Sequence, residues 1–87
     1  MGYNTFFLTG SDEHGQKVAA SAEKNNLAPI DHCDMYVNSF KSINQRLAIS
    51  NDSYQRTTEP FHEETAQGLW NRCADRGDIY LSAYEGW

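Results

Sequence analysis

Residues 6–15 read Phe-Phe-Leu-Thr-Gly-Ser-Asp-Glu-His-Gly, and this stretch limits the chain's folds more than any other. It opens on three consecutive apolar residues, the pattern of a strand covered on both faces, and such strands belong to parallel sheets flanked by helices. It closes on a short charged turn bounded by Gly10 and Gly15. A helical pattern follows over residues 16–26, with Val18, Ala19 and Ala22 on one face. Strand, polar turn and helix in that order predict an α/β fold. In such folds ligands sit beyond the carboxyl ends of the strands. Asp12, Glu13 and His14 occupy that place.

The strand is predicted over residues 5–9. A second helix is predicted from an Asp31 N-cap to about residue 48, with Cys33, Tyr36, Val37, Phe40, Ile43 and Leu47 on its buried stripe. Residues 54–57 read as a short strand. A third helix starts at Thr57-Thr58-Glu59-Pro60, buries Phe61, Ala66, Leu69, Trp70 and Cys73, and ends at a C′ glycine, Gly77. Residues 79–84 have strand character, and the chain stops as though inside a hairpin. One strand buried on both faces, about three helices and a hairpin strand do not close a domain. An 87-residue chain buries only ~60% of its unfolded surface even when it does close. The expectation is an internal piece of a larger enzyme.

The net charge is −5 and the seven Lys and Arg are scattered, which argues against a nucleic-acid surface built from this stretch. Cys33 and Cys73 stand forty residues apart with no Cys-x-x-Cys. Two free thiols in a reducing compartment are therefore expected. No signal peptide is expected, and no apolar run reaches the ~20 residues of a membrane span.

A carboxylate at Asp12 can hold an ammonium or a ribose hydroxyl. It can equally cap the helix that follows. Glu13 can contact a ligand or complement the helix dipole. His14 can contact a ligand or bond to backbone. Gly10 and Gly15 either admit a ligand close to the backbone or serve the turn. No metal site is expected, because His14, His32 and His62 lack ligand spacing. There is no glycine-rich phosphate loop.

Residues 2–17, Gly-Tyr-Asn-Thr-Phe-Phe-Leu-Thr-Gly-Ser-Asp-Glu-His-Gly-Gln-Lys, closely resemble a stretch of the methionine–tRNA ligases, the methionyl-tRNA synthetases of class I. Two later blocks agree in order and spacing. They are Arg56-Thr57-Thr58-Glu59 with His62, and Gly77-Asp78-Ile79-Tyr80 with Tyr84-Glu85-Gly86-Trp87. Ser11 stands where the family usually has Thr, and residues 51–55 depart from its more acidic, aromatic pattern.

The resemblance implies a partial Rossmann-like class I synthetase catalytic domain. All of residues 1–87 would belong to the nucleotide-binding catalytic domain, with residues 78–87 leading into its connective insertion. It implies an ATP-binding aminoacyl-tRNA ligase of protein biosynthesis. The enzyme joins methionine to ATP as methionyl-adenylate, then passes methionine to tRNA. Asp12 matches the carboxylate that holds the methionine ammonium. Gly10, Glu13 and His14 match residues lining that substrate-binding pocket, and no catalytic residue is assigned here. ATP would enter as substrate with Mg2+. Zinc is possible in the parent enzyme but is not expected on this stretch. The partners implied are methionine, ATP and tRNA, with no membrane. The compartment implied is intracellular: cytoplasm, or mitochondrion or plastid under an upstream targeting segment. The 87 residues alone are expected to be inactive. The rival reading is a non-catalytic remnant or interaction module.

Overall fold

A computed structural model describes residues 2–83. Strand β1 covers Leu8–Ser11 and helix α1 Gln16–Lys24. Helix α2 covers Pro29–Arg46, strand β2 Ser53–Arg56 and helix α3 Pro60–Asp75. The two strands pair in parallel, Leu8 opposite Ser53 through Ser11 opposite Arg56. A parallel pair needs a crossover between its strands, and α1 and α2, packed on each other, supply it. The class is α/β, as the sequence pattern requires.

Each helix ends in the same way. Asn26, Ala48 and Gly77 adopt left-handed backbone, with φ of 54°, 53° and 79°. The amide of each bonds three residues back, and the next amide bonds five back, as in Leu27 to Ala22 and Asp78 to Cys73. That double bond pattern satisfies carbonyls that a helix end otherwise leaves orphaned. Gly77 falls at the C′ position its sequence context predicts. Ala48 fills the same position despite its Cβ, at a cost of about 1 kcal/mol.

The helix starts depart from expectation. Helix α2 begins at Pro29 behind an Ala28 N-cap, two residues before Asp31. Proline is suited to the first helical position, having a preset φ and no amide to leave unpaired. Asp31 instead lies in the first turn, where its charge suits the helix dipole. Helix α3 begins at Pro60 behind Glu59, with no side-chain cap. The threonines expected to cap it are engaged elsewhere, as described below.

The strands also differ from expectation. β1 begins three residues later than predicted and ends two later, because pairing to β2 runs up to the turn and leaves Phe6 and Phe7 before the strand. Phe7 is tied instead at the sheet entrance. Its amide donates to Asp52 Oδ2 at 2.6 Å, and the Asp52 amide donates to the Phe7 carbonyl at 2.8 Å. The apolar run is not buried on both faces: Phe6, ahead of the strand, is 72% exposed, and Leu8, the strand's first residue, 55%. β1 has one neighbouring strand among the described residues, and no helix covers these side chains.

The buried apolar residues are Ala22, Cys33 and Val37, where α1 meets α2. Tyr36, Phe40, Ile43 and Leu47, expected on the same stripe, are exposed, the last three lying beyond that contact. No residue of α3 is buried; Phe61, Leu69 and Trp70 are all more than 60% exposed. The apolar pattern of α3 is real, but among the described residues nothing packs on it. Residues 78–83 carry no strand. The rest of the expected hairpin, residues 84–87, lies outside the described residues.

Candidate active site

The carboxyl ends of β1 and β2 face the same way, so the turns that follow them meet. Glu13 is at that meeting point and is only 6% exposed. Burying a carboxylate is costly unless donors surround it, and here four do. Arg56 Nε donates to Oε2 at 2.8 Å and Arg56 Nη2 to Oε1 at 2.7 Å. The Ser11 hydroxyl adds 2.7 Å to Oε2, and the Thr58 hydroxyl 3.2 Å to Oε1. The guanidinium fork matches the carboxylate two atoms to two, the strongest form of this pairing.

Arg56 also reaches across to α2, where its Nη2 lies 2.6 Å from Asp34 Oδ1. One cation thus joins β2 to the β1–α1 turn and to α2. The pairing leaves its mark on both groups. The Arg56 hydrogen bonds, helped by Ser11 and opposed by burial, bring the Glu13 carboxyl down from 4.5 to about 2. Bonding to Glu13 and then Asp34 raises the Arg56 pKa further above its already high value. Burial, with the Glu13 charge nearby, raises the Cys33 thiol, which points at the Glu13 carbonyl at 3.8 Å.

The same turn is tied through its backbone. The Glu13 amide donates to Thr57 Oγ1 at 2.9 Å, and the Thr57 amide donates to the Ser11 carbonyl at 3.3 Å. His14 Nε2 lies 3.0 Å from the Thr57 carbonyl, to which it donates in the Nε2–H tautomer. The hydroxyls of Thr57 and Thr58 therefore serve Glu13, which is why neither caps α3.

Asp12 differs from both neighbours. It is exposed, and among the described residues its carboxylate accepts no hydrogen bond. It does not cap α1, whose N-cap is Gly15 at φ 112°, a backbone angle that favours glycine. Asp12 lies instead on the wall of a cleft of about 280 Å³ between the turn, α1 and α2. Val18, Val37, Tyr36 and Phe40 make that cleft mainly apolar, and Glu13 also borders it. Gly10 and His14 are not among its lining residues. Gly10 sits inside β1 against the Gln55 carbonyl, where a Cβ would overlap backbone.

Among the described residues no three His, Cys, Asp or Glu side chains converge as a metal site. Nor is any helix long and apolar enough to cross a membrane.

A family model described as tRNA synthetases class I (M) matches residues 1–87. The chain belongs to that family. Within the class I (M) synthetases, it is 46% identical to a probable mitochondrial methionine–tRNA ligase of Dictyostelium discoideum, over the whole chain and 15% of that relative. It is 47% identical to the methionine–tRNA ligase of Lactiplantibacillus plantarum, over the whole chain and 13% of the relative. The methionine–tRNA ligase of Thermotoga maritima is 42% identical over the same 87 residues, 14% of its length. The chain thus spans about a seventh of the curated relatives it matches. The two-stranded parallel sheet with three helices agrees with a partial synthetase domain of this family.

Arg56 is not a site residue by residue type alone, and its pairing with Glu13 is not visible in the sequence. The Arg-Thr-Thr run at the end of a short strand was the available signal. Its partner lies 43 residues away, and no local pattern encodes that distance.

Proposed function

We propose that this chain is the part of a methionine–tRNA ligase that receives the amino acid. In this reading Asp12 takes the α-ammonium of methionine, and the apolar wall of Val18, Val37, Tyr36 and Phe40 borders the amino-acid site. The carrying observation is the unpaired Asp12 carboxylate on the rim of an apolar cleft, beside a neighbour that is fully paired. An ammonium held by one carboxylate gains about 1.5–3 kcal/mol. That hold would orient the methionine carboxylate for attack on the α-phosphate of ATP, a contribution of positioning. Glu13, Gly10 and His14 shape the turn around this point.

The ligase would use ATP and tRNA besides methionine. All of residues 1–87 would belong to its nucleotide-binding catalytic domain, with residues 78–87 leading toward the connective insertion. The residues described here do not form a cage for Mg2+ or zinc. Mg2+ would arrive with the phosphates of ATP, as it commonly does. The relatives named above include one called mitochondrial and two bacterial ligases. The reading places the enzyme inside the cell, in cytoplasm or in an organelle. All three relatives are ligases, which speaks against the interaction-module alternative.

The test is a chimera in which these 87 residues replace the matching segment of the Thermotoga maritima ligase. Asp12→Asn in that chimera is expected to lower kcat/KM for methionine by about 10- to 150-fold in pyrophosphate exchange, the equivalent of 1.5–3 kcal/mol. The KM for ATP should stay within about twofold. An unchanged methionine KM would remove Asp12 from the amino-acid site.

A further inference from the structure

We infer that Glu13, Arg56 and Thr57 are positioning residues, a clamp that sets methionine affinity by holding Asp12 in place without touching the substrate. This rests on the reading of Asp12 given above and adds a role for residues on the neighbouring strand end.

Asp12 is bracketed by fastened residues. Before it, the Ser11 hydroxyl is bound to Glu13 Oε2 and the Ser11 carbonyl accepts from the Thr57 amide. After it, the Glu13 amide is bound to Thr57 Oγ1 and the Glu13 carboxylate to Arg56 and Thr58. His14 then bonds the Thr57 carbonyl. Residues 11, 13 and 14 are thereby anchored to residues 56–58, while the Asp12 side chain stays free. A binding group on a turn is useful only if its neighbours hold it to within about 0.5 Å. Among the described residues no helix covers the exposed Leu8 side chain of β1, and the hydrogen bonds to residues 56–58 are what fasten the turn.

The charge arrangement supports the same role. Arg56 is shared between two carboxylates, Glu13 and Asp34. Its charge is therefore already answered on both sides, and among the described residues no ion pair engages Asp12, although Lys17 lines the same cleft. Without Glu13, Arg56 would lose its main partner and the turn its main anchor.

The experiment is a set of double-mutant cycles in the same chimera, read as the equilibrium Kd for methionine by calorimetry. Glu13→Gln removes the charge from the clamp. Thr57→Val removes only the hydroxyl that receives the Glu13 amide and leaves the ion pair intact, so it reports even if the first variant folds poorly. Methionine binding is expected to weaken about tenfold in Glu13→Gln and about threefold in Thr57→Val. In the Asp12→Asn background each should change binding by less than about twofold, because the residue they act through is already disabled. A merely structural role would weaken binding equally in both backgrounds, and that result overturns the inference. Wild-type affinity in both clamp variants also overturns it while leaving the Asp12 reading standing. Wild-type affinity in Asp12→Asn alone brings down the reading of Asp12, and the inference with it.

Discussion

Replacing Glu13 by Gln keeps the shape of the side chain and removes the anion at the centre of the clamp. The expected cost follows from its titration. A carboxyl held at about 2 rather than 4.5 contributes about 3 kcal/mol at neutral pH. Two effects trim this figure. Arg56 keeps Asp34 as a partner at 2.6 Å, and the Gln carbonyl still accepts one bond. A net loss of about 2–3 kcal/mol remains. The sign with pH is set by the depressed value. The contribution is complete above pH 4.5 and is lost as pH falls toward 2. At pH 3 it should stand at less than half its neutral value.

The amide of Thr57 is a suitable reporter, since it donates to the Ser11 carbonyl across the two strand ends. In the chimeric ligase, Glu13→Gln is expected to speed its hydrogen exchange about 30- to 150-fold at pH 7. The gap between variant and parent should shrink by more than half at pH 3, after correction for intrinsic rates. A gap of less than about threefold at pH 7 would refute the clamp as an energetic unit. So would a gap that does not change with pH.

Two further outcomes test the surrounding structure. Gly10→Ala places a Cβ into the Gln55 carbonyl. It should destabilise the β1–β2 pair by about 3 kcal/mol or more, and an unchanged thermal transition in the chimera would contradict the close strand approach. Cys33 is buried with a raised pKa, while Cys73 is half-buried. At pH 8 a thiol reagent should therefore modify Cys73 promptly and Cys33 only after denaturation, and equal rates for the two would contradict the burial of Cys33.

Much of the secondary structure was legible because it depends on near neighbours. The apolar-then-charged run at residues 6–15 marks a strand followed by a glycine-bounded charged turn, and β1 and α1 follow in that order. Gly77 marks the end of α3 because left-handed backbone is easy for glycine. Pro29 and Pro60 mark helix starts better than Asp31 or the threonines do. A missing amide is a local property, whereas a capping hydroxyl can be claimed by another partner. The apolar face of α3 was legible too, but periodicity reports what a helix can bury and not whether a partner is there. Phe61, Leu69 and Trp70 are exposed because, among the described residues, nothing packs on them.

Residue order alone was enough to place this chain among the methionine-type class I synthetases. Three ordered blocks are a property of the letters, and the family model covers the same 87 residues. It was also enough to put Asp12, Glu13 and His14 together at the end of a strand. The family resemblance set Asp12 apart from Glu13 and His14, but residue type and spacing offered no physical reason for the division. Asp12 and Glu13 are adjacent carboxylates, with nothing in their type or spacing to separate them. Folding separates them by bringing Arg56 and Thr58, 43 and 45 residues away on the neighbouring strand end, to the Glu13 carboxylate, and Thr57 to its amide. Glu13 is enclosed by donors, and Asp12 is left exposed on the cleft wall. Burial and pairing depend on contacts between distant segments, and only the folded chain makes those contacts.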